Sequence, residues 1–336
     1  MRAPSFWQTQ ERSWQAILLA PLGLAYDAAT RLRFALARPY SSALPVICVG
    51  NLVAGGAGKT PVALALAALL GGRGLSPVFL SRGYGGAKAG PLRVDPATHT
   101  AAEVGDEPLL LARAAPTIIA RDRAAGARLA EDSGAQLIIM DDGLQNPSLI
   151  KMVAFAVVDA DLGVGNGRVI PAGPLRAGLA FQFTLIDALI VVGEGKAGVA
   201  LVAEAEQRGL PVFRARVRAQ DPAALAGERV VAFAGIARPE KFFATLAATG
   251  THLAARRGFG DHQVLSEREA EELLALAERE KASLVSTEKD LARLKGRTGA
   301  AGRLAEKTRP LAIALGFEAP EAILDFLGEK GALRKG

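Results

Sequence analysis

Residues 45–61 read Pro45-Val-Ile-Cys-Val-Gly-Asn-Leu-Val-Ala-Gly-Gly-Ala-Gly-Lys-Thr-Pro61, and the character of the chain changes twice within them. Pro45–Val49 is an apolar run with the composition of a buried strand. The next eleven residues are glycine-rich. From Thr60 the sequence Thr-Pro-Val-Ala-Leu-Ala-Leu-Ala67 reads as a helix, with Pro61 just inside its start, where a missing N–H costs little. Strand, glycine loop and helix in this order bring backbone N–H groups and the positive helix end to a phosphate at close range. Val53, Ala54, Gly55, Gly56, Ala57 and Gly58 would form the cradle. Lys59 would reach the β- and γ-phosphates of a nucleoside triphosphate, and the Thr60 hydroxyl would ligate Mg²⁺. Val53 stands where the strict pattern has glycine, so Gly55, Gly56 and Gly58 supply the turn. The alternative is an ordinary glycine-rich βα turn, which the flanking strand, helix and Pro61 disfavour together.

A loop that holds Mg·triphosphate needs a carboxylate at the end of a neighbouring strand. Leu137-Ile-Ile-Met-Asp-Asp142 offers two, with Asp142 as the metal ligand and Asp141 in support. Further Val/Ile-rich runs at 77–80, 117–120, 155–158 and 188–192 alternate with helical patterns, as in a parallel sheet with helices on both faces. A second series of runs begins at Val230. The expected fold is a P-loop NTPase-like α/β/α sandwich with a second, smaller α/β domain and an N-terminal amphipathic helix. The expected boundaries are 1–38, 39–217 and 218–336, with the junction placed at the alternating, half-exposed strand that starts at Val212.

The 336 residues carry a formal charge of +6 and a single cysteine, Cys48, which excludes an intramolecular disulfide or a cysteine-cluster metal site. No dense basic run or aromatic-studded basic stripe is present, so no nucleic-acid partner is expected. Phe6, Trp7 and Trp14 precede an apolar stretch from Ala16 to Tyr26, interrupted by Pro21 and Gly23 and followed by Arg31, Arg33 and Arg38. The run is too short to span a bilayer. Tryptophan and arginine around short apolar stretches suit a helix lying in the membrane interface. A helix packed on the protein's own core is the competing reading.

Four other segments bear on the chemistry. Val104-Gly-Asp-Glu-Pro108 opens a helix, where Asp106 and Glu107 either cap it or act as general base and second metal carboxylate. Ser81-Arg-Gly-Tyr-Gly-Gly86 follows a strand at the carboxyl edge of the sheet, where ligands bind. Arg82 there could hold phosphate and Tyr84 a sugar or apolar surface, unless the segment is a plain turn. Residues 165–176 form a Gly/Pro-rich loop with Arg168 and Arg176 as anion contacts. His262, beside Asp261, is either structural or a proton-transfer aid. Thr287-Glu-Lys-Asp290 approaches the guanine-reading N-K-x-D motif, but its lysine is one place late.

In this order, G-N-x-x-x-G-G-x-G-K-T-P, S-R-G-Y-G, V-G-D-E-P, D-D-G-L-Q, N-G-R-x-I-P-A-G-P-L-R, D-H and T-E-K-D resemble the tetraacyldisaccharide 4′-kinase family, the lipid A kinases, from about Val46 to Leu294. The resemblance implies an ATP- and Mg²⁺-dependent kinase making monotopic contact with the cytoplasmic face of the bacterial inner membrane. Its substrate would be a tetraacylated glucosamine disaccharide 1-phosphate, phosphorylated on the 4′-hydroxyl to give lipid IVA. It implies Asp106 as base, aided by His262, with Glu107, Asp141 and Asp142 on the metal side. Acceptor contacts would come from Arg82, Tyr84, Asn146, Arg168 and Arg176. Asn146 stands where the family has histidine, and Ala177 where it has glutamate. The rival reading is a switch-type P-loop GTPase or ATPase without a lipid acceptor.

Overall fold

The computed structural model describes residues 4–8, 13–55, 58–236, 239–260, 263–294 and 296–333. The strands are β1 (Val46–Asn51), β2 (Pro77–Ser81), β3 (Leu92–Arg93), β4 (Thr117–Ile119), β5 (Leu137–Asp141), β6 (Val153–Asp159), β7 (Ala188–Val192), β8 (Val212–Ala219), β9 (Arg229–Ala234), β10 (His252–Gly258), β11 (Ser283–Thr287), β12 (Thr308–Leu311) and β13 (Ile313–Phe317). The helices are α1 (Trp14–Leu36), α2 (Lys59–Gly71), α3 (Ala101–Val104), α4 (Asp106–Ala112), α5 (Arg123–Glu131), α6 (Leu179–Phe183), α7 (Val199–Gln207), α8 (Pro239–Ala247), α9 (Glu267–Glu280), α10 (Glu288–Leu294), α11 (Gly299–Lys307) and α12 (Pro320–Glu329).

The first unit comprises residues 1–216 and 315–336. Its sheet runs β13-β8-β7-β6-β1-β5-β2-β4-β3, and β1 lies parallel between β5 and β6. These strands are buried on both faces, so they read as unbroken apolar runs rather than as alternation. The pleat sends Ile47 and Val49 to a core shared with Val62, Leu66 and Leu70 of α2 and with Leu111 of α4. Val46 and Cys48 go to the opposite core, against Ala127 and Ala130 of α5 and Leu201 of α7. The pairing Val49↔Asp141 sets the start of the glycine loop beside the aspartates that end β5.

The last domain boundary differs from expectation. Residues 218–336 do not form one domain, because the second unit ends at Ala314 and the chain then returns to the first. The cause is α12, whose Ile323, Phe326 and Leu327 complete the core under β1 and β6. The Phe326 ring lies 5.9 Å from that of Phe155 and 5.5 Å from that of Phe213.

The second unit, 217–314, has its own parallel sheet in the order β10-β9-β11-β12. Phe242, Phe243 and Leu246 of α8 cover one face, and Leu273, Leu276, Leu294 and Leu304 cover the other. The Thr-Glu-Lys-Asp segment has a structural task here. The buried Asp290 carboxylate accepts from Gly235 N–H at 3.1 Å, from Thr287 Oγ1 at 2.6 Å and from Arg293 at 2.9 Å, joining the ends of β9 and β11.

Pro21 and Gly23, expected to interrupt the N-terminal apolar stretch, lie inside the continuous α1. The helix is begun by Ser13, whose side chain accepts from Ala16 N–H at 3.1 Å. Ala16, Gly23 and Thr30 are buried on one side, while Trp14 (70% exposed), Leu18 (69%) and Leu36 (73%) stand on the other. The helix packs on the protein along one side and leaves an apolar face outward along the other. Among the described residues no helix is long and apolar enough to cross a membrane.

Candidate active site

The site lies at the carboxyl ends of β1, β2, β4 and β5 of the first unit. Gly58, at φ +81°, is the N-cap of α2, so Lys59 and Thr60 are its first two residues, and both are buried. Their backbone N–H groups belong to the unsatisfied first turn of a helix, the positive end of its dipole. The Lys59 Nζ lies 3.4 Å from the Gly55 carbonyl oxygen and 3.9 Å from Asp142 Oδ2. Asn51 Nδ2 donates to the same Gly55 carbonyl at 2.9 Å and holds the loop in place. Val53, the departure from the strict pattern, bridges to Leu175, and Ala54 N–H donates to Pro174 at 2.7 Å. The first half of the loop is therefore a short ladder with the 165–176 segment, a use that suits valine better than glycine. Gly56 and Ala57 lie outside the described residues.

Asp141 ends β5 and is almost wholly buried, and neither carboxylate oxygen has a hydrogen-bond partner. Burial, then the charges of Glu107 and Asp142, push its carboxyl up to about 7. Asp142 follows at φ +52°, an uncommon conformation for a residue with a side chain, and Arg176 grips its carboxylate with both terminal nitrogens at 2.7 and 3.1 Å. The Arg176 Nε donates to the Val53 carbonyl at 3.1 Å. An orphaned buried carboxylate, a hydroxyl at the helix start and a second carboxylate form an oxygen donor set suited to Mg²⁺. Among the described residues no group of three or more His, Cys, Asp or Glu side chains could hold a metal.

Asp106 and Glu107 are the first residues of α4, but the N-cap is Gly105 and no side chain caps the helix. Both side chains are exposed, and among the described residues the Asp106 carboxylate makes no hydrogen bond or ion pair. The electrostatic effect of Glu107 on Asp141 brings this helix start into the site. Glycines make the approach of the neighbouring loop possible. A Cβ on Gly86 would lie 2.6 Å from the Val104 carbonyl carbon, and one on Gly105, at φ +92°, would lie 2.4 Å from the Tyr84 carbonyl oxygen. The Ser-Arg-Gly-Tyr-Gly-Gly turn thus lies against the Gly-Asp-Glu-Pro turn, with Arg82 and the 83% exposed Tyr84 outward.

Three expected contacts are engaged within the chain. The Asn146 carboxamide oxygen accepts from Ser148 N–H at 2.9 Å and from its hydroxyl at 2.7 Å. Arg176 holds Asp142. Arg168 lends its backbone to the loop, donating from N–H to Asn166 at 3.1 Å and accepting from Leu175 N–H at 3.0 Å. His262 lies outside the described residues. Two side chains were not singled out from sequence. Gln145 Nε2 donates to Asn51 O and to Gln182 Oε1, each at 2.8 Å. Arg123, at the start of α5, is buried with its Nε unpartnered, and its guanidinium is pushed down to about 10 by burial against the pull of Asp142. The D-D-G-L-Q run contained the signal for Gln145. Nothing local distinguished Arg123 from the other arginines.

A parallel sheet whose central strand ends in a phosphate cradle, with paired aspartates on the next strand, defines a P-loop NTPase-like phosphotransferase. The family described as LpxK, tetraacyldisaccharide-1-P 4′-kinase, matches residues 15–329, and the chain belongs to it. A tetraacyldisaccharide 4′-kinase of Methylobacterium nodulans is 55% identical over 327 residues, covering 96% of this chain and 94% of the relative. One from Bradyrhizobium diazoefficiens is 48% identical over 331 residues, covering 98% and 96%. The crystal structure of Aquifex aeolicus LpxK in complex with ATP superposes with a TM-score of 0.69 at 24% identity, over 94% of this chain and 99% of that one, and shows the shared fold. Family membership favours the kinase over a switch-type GTPase.

Proposed function

We propose that this kinase transfers the γ-phosphoryl group of ATP to the 4′-hydroxyl of a tetraacylated glucosamine disaccharide 1-phosphate, giving lipid IVA in lipid A biosynthesis. The observation that carries the reading is the juxtaposition of Lys59 and Thr60 with Asp141 and Asp142, with the α4 start close enough for Glu107 to act on Asp141. Lys59 neutralises charge on the transferring group while the loop N–H groups hold the phosphates. Asp106 accepts the proton of the attacking hydroxyl, with His262 as its aid. Thr60, Asp141, Asp142 and Glu107 would hold Mg²⁺, which would supply charge neutralisation to the transferring phosphate. Arg82, Tyr84, Asn146, Arg168 and Arg176 serve the acceptor. For Arg176 that duty requires release from Asp142.

The enzyme works at the cytoplasmic face of the inner membrane. The outward Trp14, Leu18, Leu22, Leu32 and Leu36 of α1 suit an interfacial helix, while Arg31 and Arg33 are engaged by Asp27 and the Gln145 carbonyl. The decisive assay supplies labelled ATP and the disaccharide acceptor and separates labelled lipid from free phosphate. Lys59→Ala should lower turnover by roughly 10³-fold. Asp106→Asn should keep ATP affinity and lose turnover, and a collapse of affinity with turnover per bound ATP intact would make Asp106 structural. Deleting residues 1–30 should weaken vesicle binding, and an unchanged partition would refute the membrane assignment.

A further inference from the structure

The side of α1 turned away from its exposed apolar face carries polar groups that a helix serving only as an anchor would not need. Asp27 Oδ1 accepts from the Gly178 backbone N–H at 2.6 Å, and its other oxygen accepts from Arg31 Nε at 2.9 Å. One turn earlier, Gly23 lets the helix backbone meet the same loop, since a Cβ there would lie 2.9 Å from the Val169 carbonyl oxygen. Two turns further on, Arg33 Nη2 donates to the Gln145 carbonyl at 2.8 Å. The Phe34 and Phe181 rings pack edge to face at 5.3 Å.

Both polar tethers end beside Arg176. Gly178 is two residues beyond it. Gln145 accepts from its guanidinium at 3.3 Å and also donates to Asn51 O at the end of β1. Arg176 in turn spans Asp142 and the Val53 carbonyl of the phosphate loop. Hydrogen bonds joined by short stretches of backbone therefore link α1 to Asp142. We infer that Asp27, supported by Arg33, is a positioning residue for phosphoryl transfer. From the lipid-facing helix it fixes the segment that carries Arg176, so that seating α1 on the acceptor-bearing surface also aligns Arg176 at the phosphate site. The inference rests on the membrane role proposed for α1. Its chemical basis is local: without the Asp27 oxygen, a part-buried Gly178 N–H loses its acceptor and the loop its register. A displacement of about 1 Å in such a group can cost up to roughly a hundredfold in rate.

The test uses the full-length enzyme, vesicles containing anionic phospholipid and the disaccharide acceptor, and four variants. Asp27→Ala should partition to vesicles like the wild type and stay folded with a modestly lower melting midpoint, while kcat falls about tenfold. Asp27→Asn retains an oxygen for Gly178 N–H and should keep most of the turnover, although it loses the ion pair with Arg31. Arg31→Ala should behave as the wild type in turnover, and Arg33→Ala should lose severalfold. Amide hydrogen exchange over residues 174–178 gives a readout that needs no acceptor. It should accelerate in Asp27→Ala and stay protected in Asp27→Asn. Wild-type turnover in Asp27→Ala at unchanged exchange would overturn the inference, as would equal losses in the alanine and asparagine variants. If the wild-type enzyme left the lipid unphosphorylated, the proposed function would fall, and the exchange pattern would still decide whether Asp27 holds the loop.

Discussion

Replacing Asp141 by asparagine should abolish turnover and, at neutral pH and above, make the protein more stable when nucleotide and metal are withheld. The carboxyl titrates near 7 in the folded chain against an ordinary value of 3.8, because burial and the charges of Glu107 and Asp142 oppose its ionisation. The folded state therefore keeps a proton that the unfolded chain releases, and stability is lost as pH rises from about 4 to about 7, levelling off beyond. At ~1.4 kcal/mol per unit, a shift of about three units sets a ceiling of ~4 kcal/mol on the penalty above pH 7. Asparagine removes the charge but buries an amide whose own unmet hydrogen bonds cost ~1–3 kcal/mol. A net gain of ~1–3 kcal/mol at pH 8 follows. Urea unfolding of wild type and Asp141→Asn in EDTA at pH 5, 6, 7 and 8 measures the gap directly. It should widen in favour of the variant between pH 5 and 7 and then hold steady. A gap independent of pH, or a wild type more stable than the variant at pH 8, would refute the claim that Asp141 is an uncompensated carboxyl awaiting a cation.

Two structural substitutions test how the rest of the site is built. Gly86→Ala would set a Cβ within 2.8 Å of Gly105 N, so the two loops must part. The expected result is a loss of ~1–3 kcal/mol in stability and a fall in turnover, with ATP affinity by calorimetry held within about twofold. Asp290→Ala leaves Gly235 N–H and Thr287 without their acceptor in a buried corner of the second unit, which should cost ~2–4 kcal/mol in a thermal melt. A melt unchanged by this substitution would show that the Thr-Glu-Lys-Asp segment has no such structural task.

The phosphate cradle was legible because its information is local. A strand, a loop and a helix are contiguous, and Gly-Lys-Thr has one common use at that junction. The parallel sheet was legible for a related reason: strands buried on both faces leave unbroken Val/Ile runs such as Leu137–Met140. The return of α12 to the first unit was not legible, since an amphipathic helix records that it has a partner without recording which one. Ile323 and Phe326 would satisfy any apolar groove, and only the space left beside Phe155 and Phe213 selects theirs. The role of Val53 was hidden in the same way, because a backbone bridge to Leu175 spans more than a hundred residues and leaves no mark on its neighbours.

The same distinction explains why α1 divided the sequence reading. Hydrophobic patterning ranks side chains by their aversion to water, and on that scale Trp14, Leu18 and Leu36 outweigh Asp27 and Gly23. Yet a carboxylate midway along an otherwise apolar helix must find donors or remain in water. Asp27 finds Gly178 N–H, on the segment that carries the arginine nearest Asp142. On the proposed role of α1, the apolar face and the polar face answer different demands, one set by the lipid surface and the other by the geometry of transfer. A helix meeting both joins substrate location to catalytic alignment through a single rigid element. In that arrangement, a chain that keeps its vesicle affinity but loses the Asp27 contact should be a bound and poorly aligned kinase.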